Sequence, residues 1–225
     1  MSAVYAKHEN EANGDAISVI ITTIKDEILT LKSLRSCPVP YEVVVSKKHG
    51  LGFARNWGAR QARHNLLVFL DDDLELKAEI WKEILNTKKG EFKMTFLEGF
   101  PITRVMAIDK RDFWSVGGFD ERIRFTTEDR DFYARAVMKG LRFSVIPINL
   151  TVHKAHERRS KNIHIAIRAT AENAQFIHKY AGRFPEVLRV DFLDRLKHGQ
   201  ARTLLIQLFF FYYYMLKGVR IDYAS

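Results

Sequence analysis

Three short apolar runs near the start of the chain constrain its fold more than any other feature. AISVIITTI (Ala16 to Ile24), YEVVVS (Tyr41 to Ser46) and LLVFL (Leu66 to Leu70) are rich in β-branched residues and almost unbroken by polar ones. A strand with one wet face alternates apolar and polar residues. A strand covered on both faces does not, so these runs predict strands buried inside a parallel sheet. Between the first two lies KDEILTLKSLRSC, with Ile28, Leu31 and Leu34 at helical spacing. Between the second and third, Gly50-Leu51-Gly52 opens FARNWGARQARH, where Phe53, Ala54 and Trp57 predict one apolar helix face. Strand, helix, strand, helix, strand at these intervals is a βαβαβ unit with right-handed crossovers. At 225 residues and 47% hydrophobic content, the chain can bury a full core around it.

The third run ends on charge. In LVFLDDDLEL, the carboxylates Asp71, Asp72 and Asp73 directly follow four apolar residues. Adjacent carboxylates repel one another, and burying one unpaired is costly. The turn is therefore either solvated or neutralised, and a divalent cation would neutralise it. In open α/β sheets ligands gather outside the carboxyl ends of the strands. This turn falls there, level with the loops after Ile24 and Ser46.

The second half has a different rhythm. LELKAEIWKEILNTKKG reads as a helix with Ile80, Ile84 and Leu85 inward and Gly90 as its stop. FKMTFLEGF and ITRVMAIDK read as strands, and Asp109 is placed to cap a helical turn at KRDFWSVGG. A Gly-hinged loop, GGFDERIRF, then runs into a helix with Phe132, Ala136 and Val137 on one face, stopped by Gly140. Glu128 and Asp129 fall in its first turn, where the helix dipole favours negative charge. LRFSVIP is a further strand, followed by VHKAHERRS.

Composition closes off several classes. The single cysteine, Cys37, excludes an internal disulfide framework and suits a reducing, cytoplasmic setting. Residues 1–15 lack an apolar signal core and read as a polar leader. The net charge of +9 is uneven: from Lys154 onward thirteen Lys/Arg face six Asp/Glu. No helix-turn-helix, zinc-finger or ribonucleoprotein signature accompanies that charge, so nucleic acid is not an expected partner. The same region carries LLIQLFFFYYYML, Leu204 to Leu216, between Arg202 and Lys217. Its length falls short of the roughly 20 residues that cross a bilayer as a helix. Aromatic residues between basic flanks predict peripheral attachment to a membrane surface, with packing on the domain or a homodimer contact as the alternatives.

Six segments, taken in order, resemble glycosyltransferase family 2, the inverting enzymes of the GT-A fold. ISVIITTI matches the opening nucleotide-binding strand, GLGFARNWGARQA the Gly-x-x-x-Ala-Arg-Asn segment and FLDDDLEL the Asp-x-Asp motif. SVGGFDERI matches the acceptor-side Gly-Gly-Phe-Asp loop, TEDRDFYARA the Glu-Asp motif and TVH the late metal-site histidine. The resemblance implies a GT-A catalytic domain over residues 16–160, an α/β fold whose mixed, mainly parallel sheet is flanked by helices. Residues 161–225 would follow as a helical segment.

The resemblance also implies a metal-dependent enzyme, using Mn²⁺ or Mg²⁺, that moves a sugar from a nucleotide-sugar donor to a hydroxyl or phosphate acceptor. That acceptor would be a glycan or a lipid-linked molecule. Asp71, Asp73 and His153 would hold the metal, with His156 as a second candidate for the histidine. Asp129 would be the general base and Glu128 its neighbour. Thr22, Thr23, Ser46, Arg55, Asn56, Asp71 and Asp72 would line the nucleotide, and Arg158 and Arg159 would add diphosphate contacts. Trp114, Gly117 and Gly118 would lie on the acceptor side.

The chemistry asks for these residue types independently. A departing nucleoside diphosphate gathers negative charge, which a hard cation held by oxygen ligands stabilises. Inversion needs one carboxylate opposite the leaving group to take the acceptor's proton. One departure stands out. VVVSKKHG carries no acid where family members carry a base-reading aspartate, which leaves the donor base unassigned. A nucleotidyltransferase is the rival enzyme, but it needs a basic, Gly-rich loop after the first strand, and TTIKDE has one lysine and no glycine. A non-catalytic nucleotide-sugar-binding subunit is the other alternative, and the intact Asp73, Asp129 and His153 stand against it.

Overall fold

The computed structural model describes residues 3–7, 16–97, 100–123, 127–154, 171–176 and 179–180. His156, Arg158, Arg159 and the aromatic run at 204–216 lie outside the described residues. The chain divides into two units, residues 1–124 with 128–157, and residues 125–127 with 158–225. In the second, residues 171–176 and 179–180 are helical, and Phe176 and Tyr180 are buried with ring centres 5.0 Å apart.

The first unit is built on a seven-stranded sheet. Its strands are β1 (Ala3–Lys7), β2 (Ile17–Thr22), β3 (Tyr41–Ser46), β4 (Leu66–Asp71), β6 (Glu91–Leu97), β7 (Phe100–Asp109) and β8 (Arg142–Ile146). The spatial order is β1-β3-β2-β4-β7-β6-β8. The three predicted strands form its parallel centre, β3-β2-β4, while β1 and β7 run against their neighbours and β8 is again parallel to β6. The unbroken apolar runs are explained directly. Every residue of β2 is buried, because side chains leaving both faces enter a core.

Those cores differ. On one face Val19, Ile21, Val68 and Leu70 pack with Leu34, Ile80, Trp81 and Ile84. On the other Ile20, Val44 and Phe69 pack with Phe113, Phe119 and Phe132. The second core is an aromatic cluster: Phe113 stacks on Phe132 at 5.4 Å between ring centres, and Phe119 meets Phe132 at 5.0 Å. Edge and offset contacts of this kind add to plain area burial.

The helices are α1 (Leu51–Gln61), α2 (Ile80–Leu85), α3 (Lys110–Ser115) and α4 (Glu128–Met138). Asp109 caps α3 as expected, its side chain accepting from the Arg111 N–H. Gly140 takes the left-handed backbone, φ 84°, that suits glycine at a helix stop. Gly90, φ 73°, does not stop the helix expected before it: α2 ends at Leu85 with Asn86 as its cap, and Leu74–Leu76 is a strand and not helix.

Three further local expectations are corrected. The segment around Leu31 and Leu34 is a 3-10 helix, Leu29–Ser36, and not an α-helix. Its first turn is drawn to the β4 end, since Thr30 spends its amide on the Asp72 carbonyl and its hydroxyl on the Asp71 carbonyl. Phe53 does not join the inner face of α1 and is 37% exposed. That face is set by glycine, because a Cβ on Gly58 would fall 2.4 Å from the Ile20 side chain. In α2, Trp81 is buried beside Ile80 and Ile84, its indole N–H donating to Ser36, whereas Leu85 is only partly buried.

Beyond β4 the chain makes a short strand, β5 (Leu74–Leu76), which pairs antiparallel with β9 (Thr151–His153). This two-stranded ladder sets Leu74 opposite His153, so the register delivers the histidine to the carboxylate turn.

Candidate active site

Parallel register places the strand ends level. Ser46, Thr22 and Asp71 are consecutive neighbours across β3, β2 and β4. The carboxylate turn follows. Thr30 orders it, donating its hydroxyl to the Asp71 carbonyl at 2.7 Å and accepting from the Leu74 N–H at 2.8 Å. Thr30 carries no mark in the sequence beyond being a polar residue between Leu29 and Leu31.

The three carboxylates part company. Asp71 faces Arg55 of α1, Nη2 to Oδ1 at 3.4 Å. Asp72 accepts from the Thr23 hydroxyl at 2.5 Å and pairs with Lys25 at 3.2 Å. Asp73 meets His153, Nε2 to Oδ2 at 3.3 Å, and its backbone carbonyl accepts from the Lys154 N–H. Asp73 and His153 are therefore brought together, while Asp71 turns toward Arg55. Among the described residues no three His, Cys, Asp or Glu side chains gather as a metal cage by themselves.

Arg55 does more than meet Asp71. Its other amino group donates to Glu128 at 2.8 Å, and both partners are 5% exposed. One planar guanidinium thus joins the end of β4 to the first turn of α4. Beside Glu128, Asp129 accepts from its neighbour's backbone, the Arg130 N–H, at 2.8 Å and from the Thr103 N–H of β7 at 3.4 Å. Burial pushes the Asp129 carboxyl up to about 6, reinforced by the Glu128 charge and opposed by Arg130 and Arg55. Burial also pushes Asp71 up to about 7; Arg55 opposes this, while Asp73, Glu128 and Asp129 add to it. Negative charge is crowded here beyond what one arginine neutralises.

The remaining predicted residues are located as follows. Asn56 is buried, and its amide is engaged with the Phe119 backbone and Glu121. Ser46 is fully buried, and its hydroxyl has no hydrogen-bond partner among the described residues. Lys47, in the acid-free run after β3, reaches Asp26 of the loop after β2 at 2.7 Å. Gly117 and Gly118 follow α3 with φ 91° and 67°, and Trp114 lies under Arg60, 5.5 Å from guanidinium to ring centre. A cavity of about 530 Å³ lies at the opposite end of the sheet, lined by Arg63, His64, Asn65, Lys89 and Asp109 among others. It touches none of these residues.

Residues 31–146 match the family model described as glycosyl transferase family 2. The chain belongs to this family. No curated protein matches it by sequence. Among solved structures it is similar to the catalytic domain of Drosophila beta1,4galactosyltransferase 7 in complex with xylobiose. The TM-score is 0.53 at 14% identity, covering 66% of this chain and 76% of that one. The same enzyme in a mutant form, in complex with manganese, UDP-Gal and xylobiose, gives 0.52 at 15%, over 64% and 72%. Staphylococcus aureus TarS 1–349 in complex with UDP-GlcNAc gives 0.50 at 15%, over 75% and 73%. This glycosyltransferase therefore has the GT-A fold of these enzymes.

Proposed function

We propose that this glycosyltransferase moves a sugar, with inversion and with the help of a divalent ion, from a nucleotide-sugar donor to a hydroxyl or phosphate acceptor. The observation that carries the reading is the Arg55 bridge. Through it the carboxylate turn of the donor side and the Glu128–Asp129 pair of α4 face one another at a single end of the sheet.

The donor types suit a divalent ion, the Asp73 carboxylate and the His153 imidazole with Asp71 in the same turn, where burial opposes the ionisation of Asp71 and three neighbouring carboxylates add to that opposition. Asp73 and His153 would hold the ion, with Asp71 in the same turn but directed to Arg55. When bound, the ion supplies Lewis-acid stabilisation of the charge on the departing nucleoside diphosphate. Asp129 accepts the acceptor hydroxyl's proton as that oxygen attacks the anomeric carbon. A carboxyl held near 6 is ionised at neutral pH yet basic enough to share the proton in the transition state. Arg55 keeps Glu128 in place beside it, and Asp72 fixes the loop after β2 through Thr23 and Lys25.

The test is a panel of UDP-, GDP-, CDP- and dTDP-linked sugars, UDP-GlcNAc among them, with Mn²⁺ or Mg²⁺. Thermal stability and nucleotide release are followed together. One donor should raise the melting temperature only with metal present, and Asp73→Asn should abolish that dependence. Metal-independent binding that is unchanged in Asp73→Asn would overturn the metal assignment. Inhibition by chelator should accompany the first result.

A further inference from the structure

Positions 52, 56 and 60 form one stripe of α1, four residues apart. The loop after α3 runs along that stripe. A Cβ on Gly52 would come within 3.0 Å of the Asp120 carbonyl and 3.3 Å of Phe119, so the loop backbone lies directly against the helix there. One turn on, Asn56 makes a two-way amide pair with Phe119. Its Oδ1 accepts the Phe119 N–H at 2.8 Å, and its Nδ2 donates to the Phe119 carbonyl at 2.8 Å and to Glu121 at 2.9 Å. A further turn on, Arg60 pairs with Glu121 at 2.9 Å and lies over Trp114. Gly118 closes the fit, because a Cβ there would fall 2.6 Å from Asn56 Oδ1.

We propose that the stripe Gly52–Asn56–Arg60 is a docking rail for the acceptor-side loop, and that Asn56 is its positioning residue and not a nucleotide contact. Asn56 is 2% exposed and each polar atom of its side chain is spent on the loop. The same helix turn supplies Arg55 to Asp71 and Glu128, so one rigid element fixes the loop in register with the carboxylates. The Phe119 ring lies beneath that guanidinium, 5.3 Å from its centre, which joins the rail to the Arg55 bridge. Placing the loop matters because a misplacement of about 1 Å in a reacting group costs roughly a hundredfold in rate.

The test uses polarity reversal and rests, for its kinetic arm, on the proposed transfer reaction. N56D keeps an acceptor for the Phe119 N–H but sets a carboxylate against the Phe119 carbonyl and Glu121. Adding E121Q returns a donor to that contact. Amide exchange of residues 117–122 is read by mass spectrometry on the full chain without nucleotide. Turnover of UDP-GlcNAc, or of whichever panel donor the wild type accepts, is read with kcat and donor KM separated. N56D should speed loop exchange by roughly tenfold or more. It should lower kcat by roughly tenfold at an unchanged donor KM, and N56D/E121Q should recover most of both losses. G52A, which changes no charge, should give the same kcat-only loss. A raised donor KM in N56D with unchanged loop exchange would overturn the proposal, as would a double variant no better than N56D. Should N56D fail to fold, G52A and E121Q carry the test. A wild type that turns over no nucleotide sugar sinks the transfer reading instead, and the exchange arm still decides the rail.

Discussion

The carboxylate turn after β4 and the loop that lies along α1 are held by opposite kinds of force. In the turn, each of three neighbouring acids is met by side chains from a different segment: Arg55, Thr23 with Lys25, and His153. In the loop the contacts at its centre are steric and neutral, glycine against backbone and the Asn56 amide against the Phe119 backbone, with charge kept to the Asp120 and Glu121 rim. The turn should therefore answer to pH and to metal, and the glycine and Asn56–Phe119 contacts of the loop to neither. Strong charge coupling suits a place where charge is to develop. Neutral contacts suit a surface that must stay put while it does.

The largest effect is expected where the two systems meet. Arg55→Ala leaves Glu128 buried without its cation. Breaking a buried pair from one side costs about 3–5 kcal/mol, which should appear as a lower urea midpoint with the denaturant slope unchanged. Arg55→Lys keeps the charge but cannot fork to both carboxylates, so it should recover part of the stability and little of the transfer rate. Equal stability in Arg55→Ala and the wild type would show that the bridge is not what joins turn to helix.

Next in size is the base. Asp129→Asn preserves shape and removes proton acceptance, so transfer should fall by roughly 10² or more. Donor binding should stay within a few-fold, because the turn is untouched. Loss of donor binding in Asp129→Asn would mean that the residue holds the site's structure, and full activity would move the proton-accepting role to Glu128.

The two regions were unequally legible in the sequence. The turn announced itself because its information is local: three acids in a row after an apolar run need no partner to be noticed. The parallel centre of the sheet was legible for the same reason. The loop's attachment was not, because Asn56 and Phe119 are 63 residues apart and the bond uses backbone atoms that no side-chain pattern records. Phe53 misled for a related reason. Hydrophobicity pointed it inward, but α1 sits against the sheet through Gly58 and against the loop through Gly52, and glycine leaves no apolar signature. Thr30 and Trp81 belong to the same class, buried side chains whose partners lie on another segment.

The smallest effect, and the one that separates the regions most cleanly, is in the pH profile. A base must be ionised to act, so kcat/KM should rise by about tenfold per pH unit at low pH and level off above the Asp129 value of about 6. Glu128→Gln removes the neighbouring charge that helps to raise Asp129, so this limb should move to lower pH. Stability should run the other way. A carboxyl raised from 3.8 in the unfolded chain contributes stability that is full below 3.8 and lost as pH rises through the folded value. Asp129 and Asp71 should therefore weaken the metal-free fold across the window up to about 6 and about 7 respectively. A divalent ion bound beside Asp71 should flatten the upper part of that slope. The amide pair between Asn56 and the Phe119 backbone carries no titrating group, so the Phe119 amide should keep one protection factor across the same window, measured after correction for intrinsic exchange. A protection factor that falls with the Asp129 titration would show that charge reaches the loop after all, and the division between the two regions would not hold.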